Sequence, residues 1–190
     1  MKRGGFKSAC LILGVLLVLC ALLLLIWGQI TAKRNDESAR EYADMLISMT
    51  ASPESALLGD RSDARMPALS VDGTDFVGLL AFEGEERPLP VCGDLENRNK
   101  LPCVYGGNLY DGSLIVDGIG REGQLPVGEE YSVGQKVTFT DMTGDRFSFE
   151  ITEILVREDP EEYLDACKSD FTVIVRNPYG KECRIVFCTE

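Results

Sequence analysis

The stretch DFTVIVRNPYGKECRIVFC, from Asp170 to Cys188, reads as two strands joined by a tight turn, and its first strand ends by presenting Arg176 at the lip of that turn. A guanidinium so placed suits anion recognition. It forms forked hydrogen bonds to carboxylate or phosphate, and with a pKa above about 12 it is neither nucleophile nor base. Arg184 lies in the second strand and Arg121 farther upstream. The other reactive side chains are the thiols of Cys92, Cys103, Cys167, Cys183 and Cys188. None of these is spaced as C-x-x-C and the chain contains no histidine, so no zinc site is expected. Any thiol nucleophile would also lack its usual activating base. No cofactor is implied.

The elements that must carry these groups begin with an apolar run. Ala9 to Trp27 is 19 residues without a charge, preceded by Lys2, Arg3 and Lys7. As a helix it covers the roughly 30 Å hydrocarbon core of a bilayer. A cleaved signal peptide has a shorter apolar run and a small-residue cleavage site, for which GQITAKRN is a poor match, and Leu19 before Cys20 argues against a lipoprotein anchor. The expectation is a transmembrane anchor over 9–30 after a cytoplasmic tail of 1–8, with the remainder outside the cell membrane. Lys33 and Arg34 beyond the span make the basic asymmetry mild. All 31 acidic and 16 of the 19 basic residues follow residue 30, so that part carries a net −15. Such a charge disfavours nucleic acid and anionic lipid as partners.

Ala39, Tyr42, Ala43 and Leu46 share one face of a short helix, and TASPESALLGDRSDARMP reads as a linker, so 31–65 is expected to be stalk helix and linker. From about Val71 short strands take over: DFVGLLAF, PLPVC, SLIVD, KVTFTDM, RFSFEITEILV, FTVIVR and CRIVFC. In the hairpin KVTFTDMTGDRFSFEITEI, Val137 and Phe139 alternate with polar residues and face Phe147, Phe149 and Ile151. DPEEYLDAC adds one or two helical turns. The fold class is mainly β, a closed barrel of seven to eight strands with short helices over 66–190.

The order of these segments resembles the sortases, membrane-anchored cysteine transpeptidases of Gram-positive surfaces. The resemblance covers roughly Met66 to Cys188. DFVGLLAF with PLPVC is similar to the family's opening strands. GSLIVDGIG stands where sortases have a strand ending in A-G-H, and YSVGQKVTFTDMTGDRFSFEITEI resembles their long hairpin. DFTVIVRNPYG and CRIVF stand where they have L-T-L-x-T-C and a strand beginning with arginine. The resemblance implies a sortase-like barrel and places Ile119 at the histidine position, Arg176 at the nucleophilic cysteine and Arg184 at the arginine. These three are expected close together.

Acyl transfer through cysteine needs a thiolate, a proton donor and a donor to the oxyanion. Arg184 suits the last role, and neither Arg176 nor Ile119 suits the others. Cys183 and Arg184 point to opposite faces of one strand. Asp117 would raise a neighbouring thiol's pKa. The expectation is an inactive sortase-like domain at the cell surface that binds a peptide or wall polymer or acts as a scaffold. Its alternatives are a transpeptidase with a non-standard constellation and a purely structural surface domain. Arg176, Arg184 and Arg121 are the candidate anion ligands, unless Asp117, Glu122 and Glu182 neutralise them. A disulfide between Cys103 and Cys188 is expected from their strand-end positions outside the cell, with Cys92–Cys103 as its rival and five free thiols as the third possibility.

Overall fold

The computed structural model describes residues 4–50, 65–121, 124–127, 131–164 and 169–190. The chain forms two compact units, Met1–Asn35 and Asp36–Glu190. Helix α1 spans Gly4–Thr50. In the first unit its described apolar side chains, such as Leu16, Leu19, Leu23 and Trp27, are at least half exposed. Among the described residues no helix is long and apolar enough to cross a membrane. The expected span extends over 9–12, 25 and 28–30, whose side chains lie outside the described residues.

The second unit is the barrel. Its strands are β1 Leu69–Val71, β2 Thr74–Phe82, β3 Leu89–Cys92, β4 Cys103–Gly106, β5 Leu114–Ile119, β6 Lys136–Asp141, β7 Arg146–Arg157, β8 Phe171–Arg176 and β9 Cys183–Thr189. They run in the order β2-β3-β4-β5-β8-β9-β7-β6, and β6 pairs back onto β2, which closes eight strands; β1 is a short hairpin on β2. Closure of this kind leaves few unpaired edges. Gly78 is required at the closing seam, because a Cβ there would meet the Phe139 ring at 2.3 Å.

Alternation sorts the side chains of each strand. Leu114 and Val116 of β5, Val173 and Val175 of β8, and Val186 and Cys188 of β9 fill the inner core. Phe171 stacks on Phe149 there, centroids 5.1 Å apart. On the other face, Ile174, Cys183, Ile185 and Phe187 pack under Tyr163 and Leu164 of helix α2, Glu161–Leu164. Asp159 caps that helix, its side chain accepting the Glu161 N–H at 3.0 Å. With both faces covered, β8 is an almost continuous apolar run.

The TGDR turn closes the long hairpin in the expected register, Val137 opposite Phe149 and Phe139 opposite Phe147. The buried Asp141 carboxylate organises it by accepting the Thr143 and Asp145 N–H groups at 2.8 and 3.0 Å and the Tyr110 hydroxyl at 2.7 Å. Of the helical face expected at Ala39, Tyr42, Ala43 and Leu46, Ala39 and Leu46 are buried against Phe76, Leu79 and Leu101 with Tyr42 packed beside them, and Ala43 is buried too, so these turns of α1 form part of the barrel unit. Residues 51–64 of the expected linker lie outside the described residues.

The disulfide expectation needs correction. Cys103 is bonded to Cys92, not to Cys188. β3 and β4 run parallel with Cys92 and Cys103 in register, Cα atoms 4.5 Å apart. Cys188 instead faces the core opposite Phe171 and Ile151 as a free buried thiol.

Burial pushes the Cys188 thiol up from 9.0 to about 12. A raised folded-state pKa gives stability that is complete below the unfolded value and lost as pH rises toward the folded one. Between pH 8 and 10.5 the wild type should therefore lose about 2 kcal/mol more than Cys188→Ala does over the same interval. Urea unfolding of both proteins at the two pH values measures this; parallel alkaline losses would contradict it.

Candidate functional site

β5 and β8 are parallel neighbours, and their register places Ile119 beside Arg176. The Gly120 N–H donates to the Arg176 carbonyl at 2.9 Å, fixing the two strand ends together. Alternation turns Asp117, Ile119 and Arg176 to the face opposite the inner core. There Asp117 is fully buried. A buried carboxylate costs several kcal/mol unless it is paired and hydrogen-bonded. Arg176 supplies both: its Nε lies 2.8 Å from Oδ1 and 3.0 Å from Oδ2, and its Nη2 lies 2.8 Å from Oδ2. The fork raises the Arg176 pKa, with burial opposing.

A second guanidinium reaches the same carboxylate. Arg98 Nη1 is 3.3 Å from Asp117 Oδ2, with the Arg98 side chain 39% exposed. Arg98 belongs to the loop that the Cys92–Cys103 disulfide closes, just after the 3-10 turn Leu95–Asn97. Asp94 caps that turn by accepting the Glu96 N–H at 2.9 Å. Arg121 Nη2 donates to the Asn99 carbonyl, holding the loop at a second point.

Cys183 shares this face, since it lies opposite Arg176 in the β8–β9 ladder. It is buried, and its thiol donates to the Arg157 carbonyl at 3.2 Å. Burial raises its pKa, Asp117 and Asp159 add to that effect, and Arg176 opposes it. The thiol therefore stays protonated and is a poor nucleophile. Tyr105 donates to Glu161 at 2.9 Å; that bond, aided by burial, raises the phenol's pKa.

Arg184 does not join this cluster. It lies opposite Val175 and Val156, one step along β9 from Cys183, so it turns to the face shared by Val186 and Cys188. The expectation of three neighbouring residues thus holds for Ile119 and Arg176 only. Of the acids weighed as partners, Asp117 is the one that pairs with Arg176; Glu122 lies outside the described residues. Arg121 makes no contact with Asp117 among those described; its Nη2 donates to the Asn99 carbonyl. Among the described residues no group of acids and thiols is arranged to hold a metal.

No family model and no curated protein matches the chain. Solved structures do. Sortase A from Corynebacterium diphtheriae, in a lid mutant, superposes with a TM-score of 0.50 at 16% identity, over 84% of this chain and 93% of that one. Sortase C-1 from Actinomyces oris gives a TM-score of 0.50 at 18% identity, over 83% of this chain and 97% of that one. The chain has the sortase fold.

Because Asp117 is buried, its pairing should be visible in stability. Arg176→Ala leaves the carboxylate with Arg98 alone and should cost about 3 kcal/mol. The double variant Arg176→Met/Asp117→Leu removes both charges and should recover most of that loss. Urea unfolding of the three proteins checks this; an Arg176→Ala protein within about 0.5 kcal/mol of wild type would show that the fork is not structural.

Proposed function

We propose that this protein is a membrane-anchored, extracytoplasmic sortase-fold domain that has no transpeptidase activity and works by binding a surface peptide or cell-wall polymer. The observation that carries the reading is the fork between Arg176 and Asp117. At the end of β8, where cysteine transpeptidation by this fold needs a thiolate, the chain has a cation committed to a buried carboxylate. Ile119 beside it transfers no proton, and the chain has no histidine to bring in from elsewhere. The described thiols nearest in the fold, Cys183 and Cys188, both have raised pKa values.

The anchor rests on the uncharged run from Ala9 to Trp27 and on the exposure of its described leucines, which water does not favour on every side of a helix. The basic residues before it support a cytoplasmic amino terminus and an outward-facing barrel. A strongly acidic exterior does not fit nucleic acid as partner.

The test is incubation of the full chain in detergent with a sorting-signal peptide and an amine acceptor. No cleavage and no transfer is the expected result. Product formation that a thiol-alkylating reagent abolishes would overturn the reading. Arg176→Cys combined with Ile119→His should give weak transfer at most, because a catalytic group must be held within about 0.5 Å of its productive position.

A further inference from the structure

The barrel closes through eight seams, and seven of them pair at three or more registered positions. The seam between β3 and β4 pairs at one, Cys92 with Cys103, and the disulfide joins those same residues. Beside it the Cys92 N–H donates to the Pro102 carbonyl at 2.9 Å, and the Gly93 N–H to the Asp75 carbonyl at 2.8 Å. The seam with the least ladder is the one that carries the covalent bond.

Residues 93–102 form a strap between the two cysteines. Gly93 to Lys100 are exposed apart from Asn97 and Arg98, which are half-buried. The 3-10 turn of the strap, Leu95–Asn97, lies against β4. Much of its backbone is satisfied internally: the Asn97, Arg98 and Lys100 N–H groups donate to the carbonyls of Asp94, Leu95 and Asn97 at 3.2, 3.1 and 2.8 Å. Beyond its base, its polar ties to the barrel among the described residues are side-chain bonds, Arg98 to Asp117 at 3.3 Å and Arg121 to the Asn99 carbonyl. With Arg98 39% exposed, water weakens its tie. An exposed, internally bonded and lightly tied segment opens locally at lower free energy than the ladders around it. The Arg176 fork has separate support, since the β5–β8 ladder holds it.

Loss of the bond frees the strap and leaves the other ladders standing. We infer that the Cys92–Cys103 disulfide is a redox latch, which a dithiol reductant opens to release the strap and lift Arg98 from Asp117, while the barrel and the Arg176 fork stay in place. One thiolate of the reductant attacks a cystine sulfur and displaces the other as a thiolate; the reductant's second thiol then attacks the mixed disulfide. Two electrons and two protons pass to Cys92 and Cys103, which end as thiols, and the reductant leaves as a cyclic disulfide. Both cysteines are fully buried among Ala39, Leu46, Phe76, Leu79 and Leu101, so attack waits for that packing to open. Leu101 belongs to the strap and moves with it, so the rate of reduction reads strap opening. The latch decides whether the buried Asp117 carboxylate is answered by two guanidiniums or by one. It does not rest on the absence of transpeptidation proposed above.

The full chain in detergent micelles is treated with dithiothreitol at about pH 8, where part of the reductant is thiolate, and sampled by pulses of iodoacetamide with mass mapping. Cys188, in the barrel core, reports global opening. Cys92 and Cys103 should label at least about tenfold faster than Cys188, because local opening is more frequent than global. After acidification, ¹⁵N NMR of the reduced protein should show Arg98 Nε–H exchanging at least about tenfold faster than in the oxidised protein, with Arg176 Nε–H changed less than about twofold. Arg98→Ala should speed reduction about threefold. The variant Cys92→Ser/Cys103→Ser should fold and match the reduced protein. Labelling of all three cysteines in step, an Arg98 signal indifferent to reduction, an Arg176 signal loosened equally, a wild-type reduction rate in Arg98→Ala, or a Cys92→Ser/Cys103→Ser protein that does not fold would each overturn the inference.

Discussion

A single carboxylate, that of Asp117, sets terms for the whole upper end of the barrel. It is fully buried, so its charge must be answered by the protein rather than by water. Arg176 answers from the end of β8, and Arg98 answers from the loop closed by the Cys92–Cys103 disulfide. One anion therefore ties together three stretches distant in sequence. The disulfide contributes by shortening the excursion: only 11 positions separate the two cysteines, which restricts where Arg98 can go. The second tie, Arg121 to Asn99, links the same loop to the turn after β5. The loop is thus fastened at its base covalently and at its tip by two guanidiniums.

Cation and carboxylate at this point have a chemical consequence beyond stability. A thiolate nucleophile is favoured by a nearby positive charge and opposed by burial and nearby negative charge. On this face the positive charge of Arg176 is spent on Asp117 through three short contacts. What remains acts on Cys183 against burial and two carboxylates, and the thiol's pKa still rises. The cluster is arranged as a structural ion pair. Its geometry resembles what a rim needs to stay closed and differs from what a nucleophile needs to become reactive.

Much of this was legible in the sequence where physical pattern is local. Period-two alternation marks β6 and β7, short apolar runs bounded by turn residues mark β2, β5, β8 and β9, and the TGDR turn closes the hairpin. Those features depend on neighbours in the chain. β1 and β4 were not legible: three or four residues with no alternation, β4 bounded by Pro102 and Gly107, carry no periodic signal. The observed Cys92–Cys103 disulfide stood only as the rival pairing in the sequence, because only the parallel register of β3 and β4 sets Cys92 next to Cys103. Arg98 had no signal at all, being a loop residue placed by that bond. The misplacement of Arg184 has a different origin. Strand parity separates Cys183 from Arg184, and the same parity separates Arg184 from Arg176 once Val175 is known to lie opposite Arg184.

The presence of Asp117 also bears on what positions 176 and 119 could carry in this framework. Suppose a thiol stood at position 176 in the present framework. Asp117 would keep its burial and lose its forked partner, leaving it to Arg98, whose side chain is 39% exposed and 3.3 Å away. The new thiol would then face an under-compensated carboxylate, which raises its pKa and suppresses the thiolate. A histidine at position 119 would be drawn to that same carboxylate in its charged form, since an opposite charge favours it. That pairing would leave the imidazolium as the answer to Asp117 in place of Arg176, holding its proton rather than moving it. In this framework the carboxylate competes for whatever cation the rim supplies. The charge balance of this rim is therefore a property of positions 117, 119 and 176 together, with the buried Asp117 setting what the other two can carry.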